Sequence, residues 1–430
     1  MTDQSAPPSF RSLLRNPRVA AILAAVTIGR LAAGMVPFGM IAIYTSKHEL
    51  GWAGASFAAF LIGAAVVGPY KGALVDRFGA RRMLLPMAFG FAVVAAAAAL
   101  LAQSGRPILY AVALALTATS AVLAPPNSAV LRTVWTEIAR SDAENTRLHS
   151  LDSVVEEATF VVAPLLTSGI WLAVGAWWAV VVGGLCALAG TAWFRILISR
   201  LGADRTASGS RPKPGGDRMG LARLLLSRDG AALLLPMIAL GVAMGALAVG
   251  YPAWALERSH AELAGVLIAL DSVGGIVAGT IYGHLPERRP NLWVRYFAAI
   301  LILAVGVMIV AVSDTIPVVV IGSLLVGASL TPMYIVAFVL VGSSFPSDRH
   351  TAVNASIGSA YNIGSGLASL AVGALLGAWS LTATLLLVAA LTVVLGATAL
   401  TGRSRSAPPA NLPEPTPEPA PAPAAEADIM

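Results

Sequence analysis

Four charged residues lie inside apolar stretches of the sequence, where burying a charge is costly. Arg30 stands in TIGRLAAGM, the adjacent pair Glu156 and Glu157 in DSVVEEATF, and Asp271 in IALDSVGG. Charged groups in such surroundings usually pair with one another or face water, and they often mark the path of an ion or a substrate. Adjacent carboxylates in a dry place repel each other when both are ionised, so one of them is suited to binding and releasing a proton. We therefore predict that Glu156 and Glu157, with Arg30 in the same half, serve proton coupling, and that Asp271 is a second coupling site or binds a cationic group.

Each of these residues could instead have a purely structural role, and the sequence does not decide between that role and proton coupling. Arg30 could form a purely structural ion pair, with one glutamate neutralising it from a neighbouring helix while the other faces a cytoplasmic vestibule. Asp271 could hydrogen-bond a neighbouring helix near the outer surface. Asp152, one helical turn before Glu156 and on the same face, is expected to lie near the membrane interface and to be solvated.

The composition is that of a membrane protein. Charged residues make up 12% of the 430, about half the share usual in soluble domains, and 57% are hydrophobic. The net charge of +6 does not indicate a nucleic-acid partner, because lysine and arginine are spread between apolar runs without forming a basic stripe. Neither the single cysteine, Cys186, nor the five scattered histidines can build a disulfide or a metal site, and we expect no cofactor.

Twelve apolar runs are long enough, at roughly 20 residues each, to cross a bilayer as helices. They cover 19–43, 53–75, 83–102, 108–131, 150–173, 176–197, 231–255, 261–283, 293–313, 316–342, 352–377 and 379–401. The sequence therefore predicts an all-α integral membrane protein whose backbone polar groups are satisfied within the helices while the lipid bilayer surrounds them.

The distribution of positive charge orients these spans. Most of the 28 lysine and arginine residues, Lys71 among them, fall in segments that are cytoplasmic if the N-terminus lies inside, whereas the outer connections hold only Lys47, Arg106 and Arg258. We expect a multi-pass protein of the cytoplasmic membrane with both termini in the cytoplasm.

The spans divide the chain into five predicted segments. Residues 1–18 form a cytoplasmic N-terminal segment, 19–198 a first six-helix bundle, 199–230 a cytoplasmic linker, 231–402 a second six-helix bundle, and 403–430 a tail. The tail is rich in proline and has no apolar run, so we expect it to be disordered.

A short motif occurs in both predicted bundles. The first copy, GALVDRFGARR, begins at Gly72, and a degraded copy, GTIYGHLPERR, begins at Gly279; each connects the second and third spans of its bundle. The same loop in the same place of two six-helix halves is typical of transporters built from repeats. The first copy resembles the cytoplasmic loop signature G-x-x-x-D-R-x-G-R-R of the major facilitator superfamily, and the chain is similar to its bacterial twelve-helix efflux-type members.

This resemblance implies two pseudo-symmetric six-helix bundles and an inner gate that the loop latches. Carried over to this sequence, the gating residues are Gly72, Asp76, Arg77, Gly79, Arg81 and Arg82. Independently of the resemblance, Gly79 suits a tight turn, and Asp76 needs a cationic or helix N-terminal partner because it lies at the negative end of its helix. In the second copy, Gly283 and His284 replace the acid–arginine pair and Pro286 the second glycine, so that latch should be weak or absent.

Candidate cavity residues lie on the spans that line the cavity in this family. The apolar ones are Met35, Phe38, Met237, Met244 and Met333, and the polar or aromatic ones are Asn127, Tyr251, Tyr334, Asn354, Tyr361 and Asn362. The methionine-rich set favours an amphipathic drug or metabolite over a sugar. The segment FVVAPLLTSG of span five loosely resembles the glycine–proline motif of family antiporters, with Ala163 in place of a glycine, and this favours export.

The sequence thus predicts a secondary transporter that moves a small molecule by alternating access. No ATP site is encoded, because none of Lys47, Lys71 and Lys213 precedes serine or threonine as a phosphate-binding loop requires. We predict proton-coupled efflux by a monomer that is not an enzyme. The alternatives are a proton-coupled importer or uniporter of a polar nutrient and, more remotely, a non-transporting sensor or an enzyme.

Overall fold

A computed structural model describes residues 10–201, 223–284, 291–346 and 350–402, and the regular structure in these ranges is helical. The first half contains α1 (Phe10–Arg15), α2 (Pro17–Thr45), α3 (Leu50–Phe78), α4 (Ala80–Ala102), α5 (Pro107–Leu123), α6 (Asn127–Ile138), α7 (Asp142–Val174) and α8 (Ala176–Leu201). The second half contains α9 (Arg228–Glu257), α10 (Leu263–His284), α11 (Leu292–Val312), α12 (Ile316–Ser344), α13 (His350–Leu375) and α14 (Leu381–Gly396), followed by a 3₁₀ turn, Ala397–Thr401. Most of the predicted linker and all of the predicted tail lie outside the described residues.

Eleven stretches of the described chain are long and apolar enough to cross a membrane, and they correspond to eleven of the twelve predicted spans. The remaining predicted span is α13, whose 26 residues extend for about 39 Å at 1.5 Å per residue. Its first half, HTAVNASIGSAYN, carries polar side chains that lower its hydropathy. Helix α13 packs along α9 and α3, which shields part of its surface from lipid.

Two helices differ from their predicted limits. The fourth span, predicted as one run over 108–131, is broken between α5 and α6 at Ala124–Pro126 because the consecutive prolines Pro125 and Pro126 lack the N–H groups that a helix needs. Helix α7 begins at Asp142, well before the predicted 150, because the Ser141 side chain accepts a hydrogen bond from the backbone N–H of Glu144 and caps the helix.

The same helix pairs pack together in both halves. Helix α2 packs on α8 as α9 packs on α14, α3 packs on α5 as α10 packs on α12, and α4 packs on α8 as α11 packs on α14. Each half therefore forms its own bundle, with a large buried core of aliphatic and aromatic side chains in the second half.

The two halves meet at one end of the molecule, which we call the predicted outer end and which carries the connections 46–49, 175, 258–262 and 376–380. Helix α3 crosses α13 there, and α7 crosses α10. The crossing of α3 and α13 is so close that a Cβ atom at Gly54 would overlap the carbonyl oxygen of Ser369, while Ser369 Oγ donates to the carbonyl of Gly54 at 3.2 Å. At the opposite end of the first half, the described residues of the buried core cluster all belong to that half, so the cluster makes no bridge to the second half. The molecule is thus closed at the predicted outer end.

Candidate functional site

Arg30 lies near the middle of α2, 13 residues after Pro17 and about 20 Å along the helix. Its guanidinium binds Asp152 of α7 through two parallel hydrogen bonds, Nη1 to Oδ1 at 2.6 Å and Nη2 to Oδ2 at 3.1 Å. Both residues are buried, at 9% and 3% exposure. The prediction that Asp152 is solvated near the interface is therefore wrong: because α7 begins at Asp142, Asp152 lies about 15 Å inside the helix and faces α2.

The third nitrogen of Arg30 contacts two further residues. Nε donates to Ser128 Oγ of α6 at 2.9 Å and lies 3.9 Å from Glu156 Oε1 of α7. The Glu156 side chain is 31% exposed, in contrast to the buried Asp152. Asp152 already neutralises the arginine through a bidentate ion pair, so Glu156 is an additional carboxylate at the edge of that pair. Glu156, a glutamate that was expected as a possible partner of Arg30, does contact it, but the closer partner is Asp152, which was not expected.

Glu156 lies on the face of α7 that packs against α2. Ala163 follows it by seven residues, about two turns, and therefore shares its face. A Cβ atom at Gly34 of α2 would lie 2.6 Å from the Ala163 Cβ, which shows that this face of α7 points toward α2. Glu156 thus borders the interior of the protein and not the lipid. The side chain of Glu157 lies outside the described residues.

A small cleft opens where α2, α7, α9 and α10 meet, toward the predicted outer end. Its lining is mainly apolar and includes Phe38, Ile41, Pro164, Trp171, Pro252 and Ile268, with two hydroxyl side chains, Thr167 and Ser168. Phe38 is the predicted cavity residue that lines this cleft. Thr167 and Ser168 were not predicted, although Thr159, Ala163 and Thr167 form a stripe of small residues at i, i+4 that indicates a close-packed helix face.

Several other predicted cavity residues are enclosed in the core. Met35, Met237, Met333 and Tyr251 have no exposed surface, so the prediction that they line an open cavity is wrong for this conformation. Met35 faces α8, where a Cβ atom at Gly183 would lie 3.0 Å from its own Cβ. The sequence marks these residues as apolar but does not show which neighbouring helix each one faces.

Asn127 is also buried, at 4% exposure, and its Nδ2 donates to Thr191 Oγ1 of α8 at 2.8 Å. The remaining predicted cavity residues, Met244, Tyr334, Asn354, Tyr361 and Asn362, are partly exposed. The Tyr334 ring centroid lies 6.2 Å from that of Tyr361, so these two rings form an aromatic group between α12 and α13.

Asp271 is buried on α10, at 4% exposure, and accepts a hydrogen bond from the hydroxyl of Tyr251 on α9 at 2.8 Å. This contact resembles the structural alternative for Asp271, a hydrogen bond to a neighbouring helix. The Arg30 site and Asp271 belong to different halves, and the structure does not bring them together into one cluster of charges.

The loop between α3 and α4 consists of Gly79 alone. Its φ of 85° is a backbone conformation that favours glycine, which confirms the expectation of a tight turn. Arg77 is exposed with its guanidinium 5.2 Å from the centre of the Phe78 ring, and the backbone carbonyl of Arg81 accepts from Arg195 Nε at 2.6 Å. Arg82 is exposed. The structure does not describe the surroundings of Gly72 and Gly283 or the side chains of Asp76 and His284. It also leaves out residues 285–290, which include Pro286.

Lys71 differs from its predicted place. It was counted with the cytoplasmic charges, yet it lies within α3, is 8% exposed, and donates from Nζ to the carbonyl of Ala121 on α5 at 2.6 Å. Nothing in the sequence around Lys71 predicts this contact. The prolines that follow α5 do indicate that a carbonyl at the end of α5 needs another donor, because proline has no N–H group.

Two bundles of helices that are long and apolar enough to cross a membrane, each with charged residues buried inside it, are the architecture of a multi-pass membrane transporter. The family model described as Major Facilitator Superfamily matches residues 19–311 and 259–427. The chain therefore belongs to the major facilitator superfamily, and it is a secondary transporter and not an enzyme. No curated protein matches the sequence.

Solved structures with the same fold are transporters of this type. An auto-inhibited peptide transporter of the POT family superposes with a TM-score of 0.68 at 15% identity, covering 91% of this chain and 98% of its own. The nucleoside transporter NupG has a TM-score of 0.73 at 11% identity, covering 89% and 99%. A bacterial homologue of the iron transporter ferroportin, in an inward-facing state, has a TM-score of 0.65 at 17% identity, covering 91% and 100%. At these identities the likeness shows the fold alone.

Proposed function

We propose that the protein exports a small amphipathic compound across the cytoplasmic membrane in exchange for protons. The observation that carries the proton coupling is the Arg30–Asp152–Glu156 arrangement. Arg30 has its charge satisfied by Asp152, while Glu156 lies 3.9 Å from Arg30 Nε and is partly exposed. Glu156 can gain or lose a proton without breaking the buried ion pair, so it is the residue we propose as the proton carrier.

The proposed cycle uses alternating access. In a conformation closed at the predicted outer end, Glu156 would exchange its proton with the opposite side of the membrane. When the halves rock to the other conformation, the same carboxylate is exposed to the other side and exchanges its proton there. Glu157 is the second candidate on α7. Asp271, held by Tyr251, is the candidate in the second half.

The lining of the cleft favours an amphipathic substrate, although the free volume of about 20 Å³ in this closed conformation holds about one water molecule, so the cargo would bind only once the helices around the cleft move apart. Phe38, Trp171 and Ile268 offer apolar surface, and Thr167 and Ser168 offer hydroxyl groups that can orient a polar end. A cargo rich in hydroxyl groups would leave most of its hydrogen bonds unmade against this lining. The cleft and the Arg30 site lie on the same two helices about 12 Å apart, eight residues from Arg30 to Phe38 on α2 and from Glu156 to Pro164 on α7, so binding of the cargo and protonation of Glu156 can influence each other through these helices.

We also propose that the α3–α4 loop latches the end opposite to the one that is closed here, with Asp76 as the group that binds the facing half. Gly79 gives the required turn, and Arg77 and Arg82 are exposed beside it. In this proposal both termini lie in the cytoplasm, the latch is cytoplasmic, and a single copy of the chain transports.

The second candidate function is proton-coupled or passive uptake of a polar nutrient. It is favoured by the partly exposed polar and aromatic residues of the second half, Tyr334, Asn354, Tyr361 and Asn362. The buried Oδ1 of Asn354 makes no hydrogen bond in the described structure and could accept one from a polar cargo. Solved proteins of the same fold include peptide and nucleoside transporters.

A ligand screen followed by a transport assay tests the proposal. Purified protein is heated in the presence of amphipathic dyes and antibiotics, and separately of sugars, nucleosides, amino acids and dipeptides. Stabilisation by the first group alone supports the proposal, and stabilisation by the second group alone favours the nutrient transporter. A stabilising compound is then offered to proteoliposomes with a pH gradient. We expect accumulation that stops when nigericin collapses the gradient; accumulation that is indifferent to nigericin would contradict proton coupling.

A further inference from the structure

The fourth membrane crossing is broken inside the apolar stretch Pro107–Ile138, where α5 ends at Leu123 and α6 begins at Asn127. In an α-helix each carbonyl accepts from the N–H group four residues later, and proline has no such group. Pro125 therefore cannot donate to the carbonyl of Ala121. Ala121 is buried, and a buried backbone carbonyl without a donor is costly, so the break needs a group from elsewhere in the protein.

Lys71 of α3 provides that group. Its Nζ lies 2.6 Å from the Ala121 carbonyl oxygen, and the residue is buried at 8% exposure. The nearest backbone alternative, the N–H group of Ala124, is 3.4 Å from the same oxygen, which is long for a hydrogen bond. A positive charge at the carboxyl end of α5 is also favoured by the helix dipole.

The first residues beyond the break reach the Arg30 site. Ser128 Oγ accepts from Arg30 Nε at 2.9 Å, and Asn127 Nδ2 donates to Thr191 Oγ1 of α8 at 2.8 Å. The position of Ser128 depends on the direction in which α6 leaves the break, because a continuous helix through 124–126 would point these side chains elsewhere. The geometry of the break is thus coupled to the geometry around Arg30.

We propose that Lys71 is a positioning residue, which fixes the α5–α6 break by binding the carbonyl that Pro125 releases and thereby holds Ser128 against Arg30. Lys71 immediately precedes the GALVDRFGARR motif on α3, so the contact also connects the helix of the proposed latch with the proposed coupling site. The importance of this for transport rests on the proposed function, whereas the structural coupling does not.

Amide hydrogen exchange of the purified full-length protein tests the coupling without any substrate. The readouts are peptides that cover the break, residues 119–130, and peptides that cover Asp152 and Glu156, residues 150–158. In Lys71→Met we expect the exchange rate to rise in both regions, on the order of tenfold. The reason is that the variant loses one buried hydrogen bond from a charged group, which makes local opening of the helices easier. Lys47→Met is the matched control, because Lys47 also donates to a backbone carbonyl, that of Gln103, but is exposed near the predicted outer end; its effect should stay near residue 103.

A second set of substitutions separates positioning from simple structural support. Replacing both Pro125 and Pro126 with alanine restores the missing N–H groups, so in Lys71→Met/Pro125→Ala/Pro126→Ala we expect protection to return at 119–130 but not at 150–158, because the break is straightened. Recovery of both regions in the triple variant, or a rise confined to 119–130 in Lys71→Met, would overturn the inference. If Lys71→Met does not fold, Pro125→Ala/Pro126→Ala decides: the inference requires faster exchange at 150–158, and unchanged exchange there contradicts it. Transport data on Glu156 do not enter this result, so the two proposals fail separately.

Discussion

Asp152 and Glu156 are carboxylates one helical turn apart on the same face of α7, and they have different environments. Asp152 is buried and makes two hydrogen bonds to the Arg30 guanidinium, whereas Glu156 is partly exposed at its edge. Removing one partner of a buried ion pair leaves an uncompensated charge, but removing the charge of a partly exposed neighbour does not. The two residues should therefore respond differently to the same loss of charge.

Asp152→Asn should destabilise the protein strongly, on the order of 3 kcal/mol, because Arg30 keeps its charge and loses its bidentate partner. The measurement is thermal unfolding of purified protein in detergent or nanodiscs. Glu156→Gln is the matched variant, and we expect its melting temperature to stay close to that of the wild type. A smaller loss for Asp152→Asn than for Glu156→Gln would show that the roles are assigned the wrong way round.

At this scale the sequence predicts which charged residues lie inside the helical bundles better than it predicts their partners. Arg30, Glu156 and Asp271 stand out because a charge inside an apolar run is rare. The pairing with Asp152 could not be read from the sequence, because it depends on the start of α7 at Asp142 and on the line along which α7 packs against α2. The buried position of Lys71 likewise depends on a carbonyl 50 residues away in the chain.

Among the elements, the crossing of α3 and α13 holds the predicted outer end closed. Gly54 permits this contact, since a side chain there would overlap the backbone carbonyl of Ser369. A backbone atom cannot move aside as cheaply as the end of a flexible side chain. Closure at this end should therefore be sensitive to a single methyl group.

Gly54→Ala should shift the equilibrium toward conformations that are open at the predicted outer end. The readout is alkylation of Thr167→Cys, a cleft position, by a membrane-impermeant maleimide in a Cys186→Ala background. We expect faster labelling from the side of the 46–49 connection. Gly169→Ala is the control, because a Cβ atom there meets nothing within 4 Å. Equal labelling rates with and without Gly54→Ala would mean that this crossing does not control closure.

The α3–α4 loop should act as a latch at the other end. Asp76→Asn keeps the shape of the side chain and removes the charge that we propose binds the facing half, so transport should slow strongly while membrane insertion remains normal. The measurement is transport of a screened substrate in cells, with expression checked by immunoblot. Transport at the wild-type rate by normally expressed Asp76→Asn protein would rule out the latch.

For the whole molecule, the membrane class, the helical architecture and the family follow from hydropathy, charge distribution and the loop motif, because these are properties of consecutive residues. The break between α5 and α6 follows from Pro125 and Pro126 once their missing N–H groups are considered. The closed end does not follow from the sequence, since it depends on contacts such as Gly54 with Ser369, which are 315 residues apart.

The orientation of the molecule in the membrane is a further prediction at this scale. The excess of arginine in the segments we assign to the cytoplasm predicts that a cysteine placed at 205–215, outside the described residues, is labelled only from the cytoplasmic side. The measurement is maleimide labelling in intact cells and in inverted vesicles, in a Cys186→Ala background. Labelling in intact cells by an impermeant reagent would reverse the topology.

The central claim is that Glu156 carries the coupled proton, and Glu156→Gln in proteoliposomes tests it most directly. With a compound identified by the thermal-shift screen, we predict that this variant loses accumulation driven by a pH gradient but still exchanges labelled for unlabelled compound. Glu257→Gln, at an exposed carboxylate near the predicted outer end, is the control and should behave as the wild type. If Glu156→Gln still concentrates the compound with the normal pH dependence, Glu156 is not the proton carrier, and the claim is contradicted.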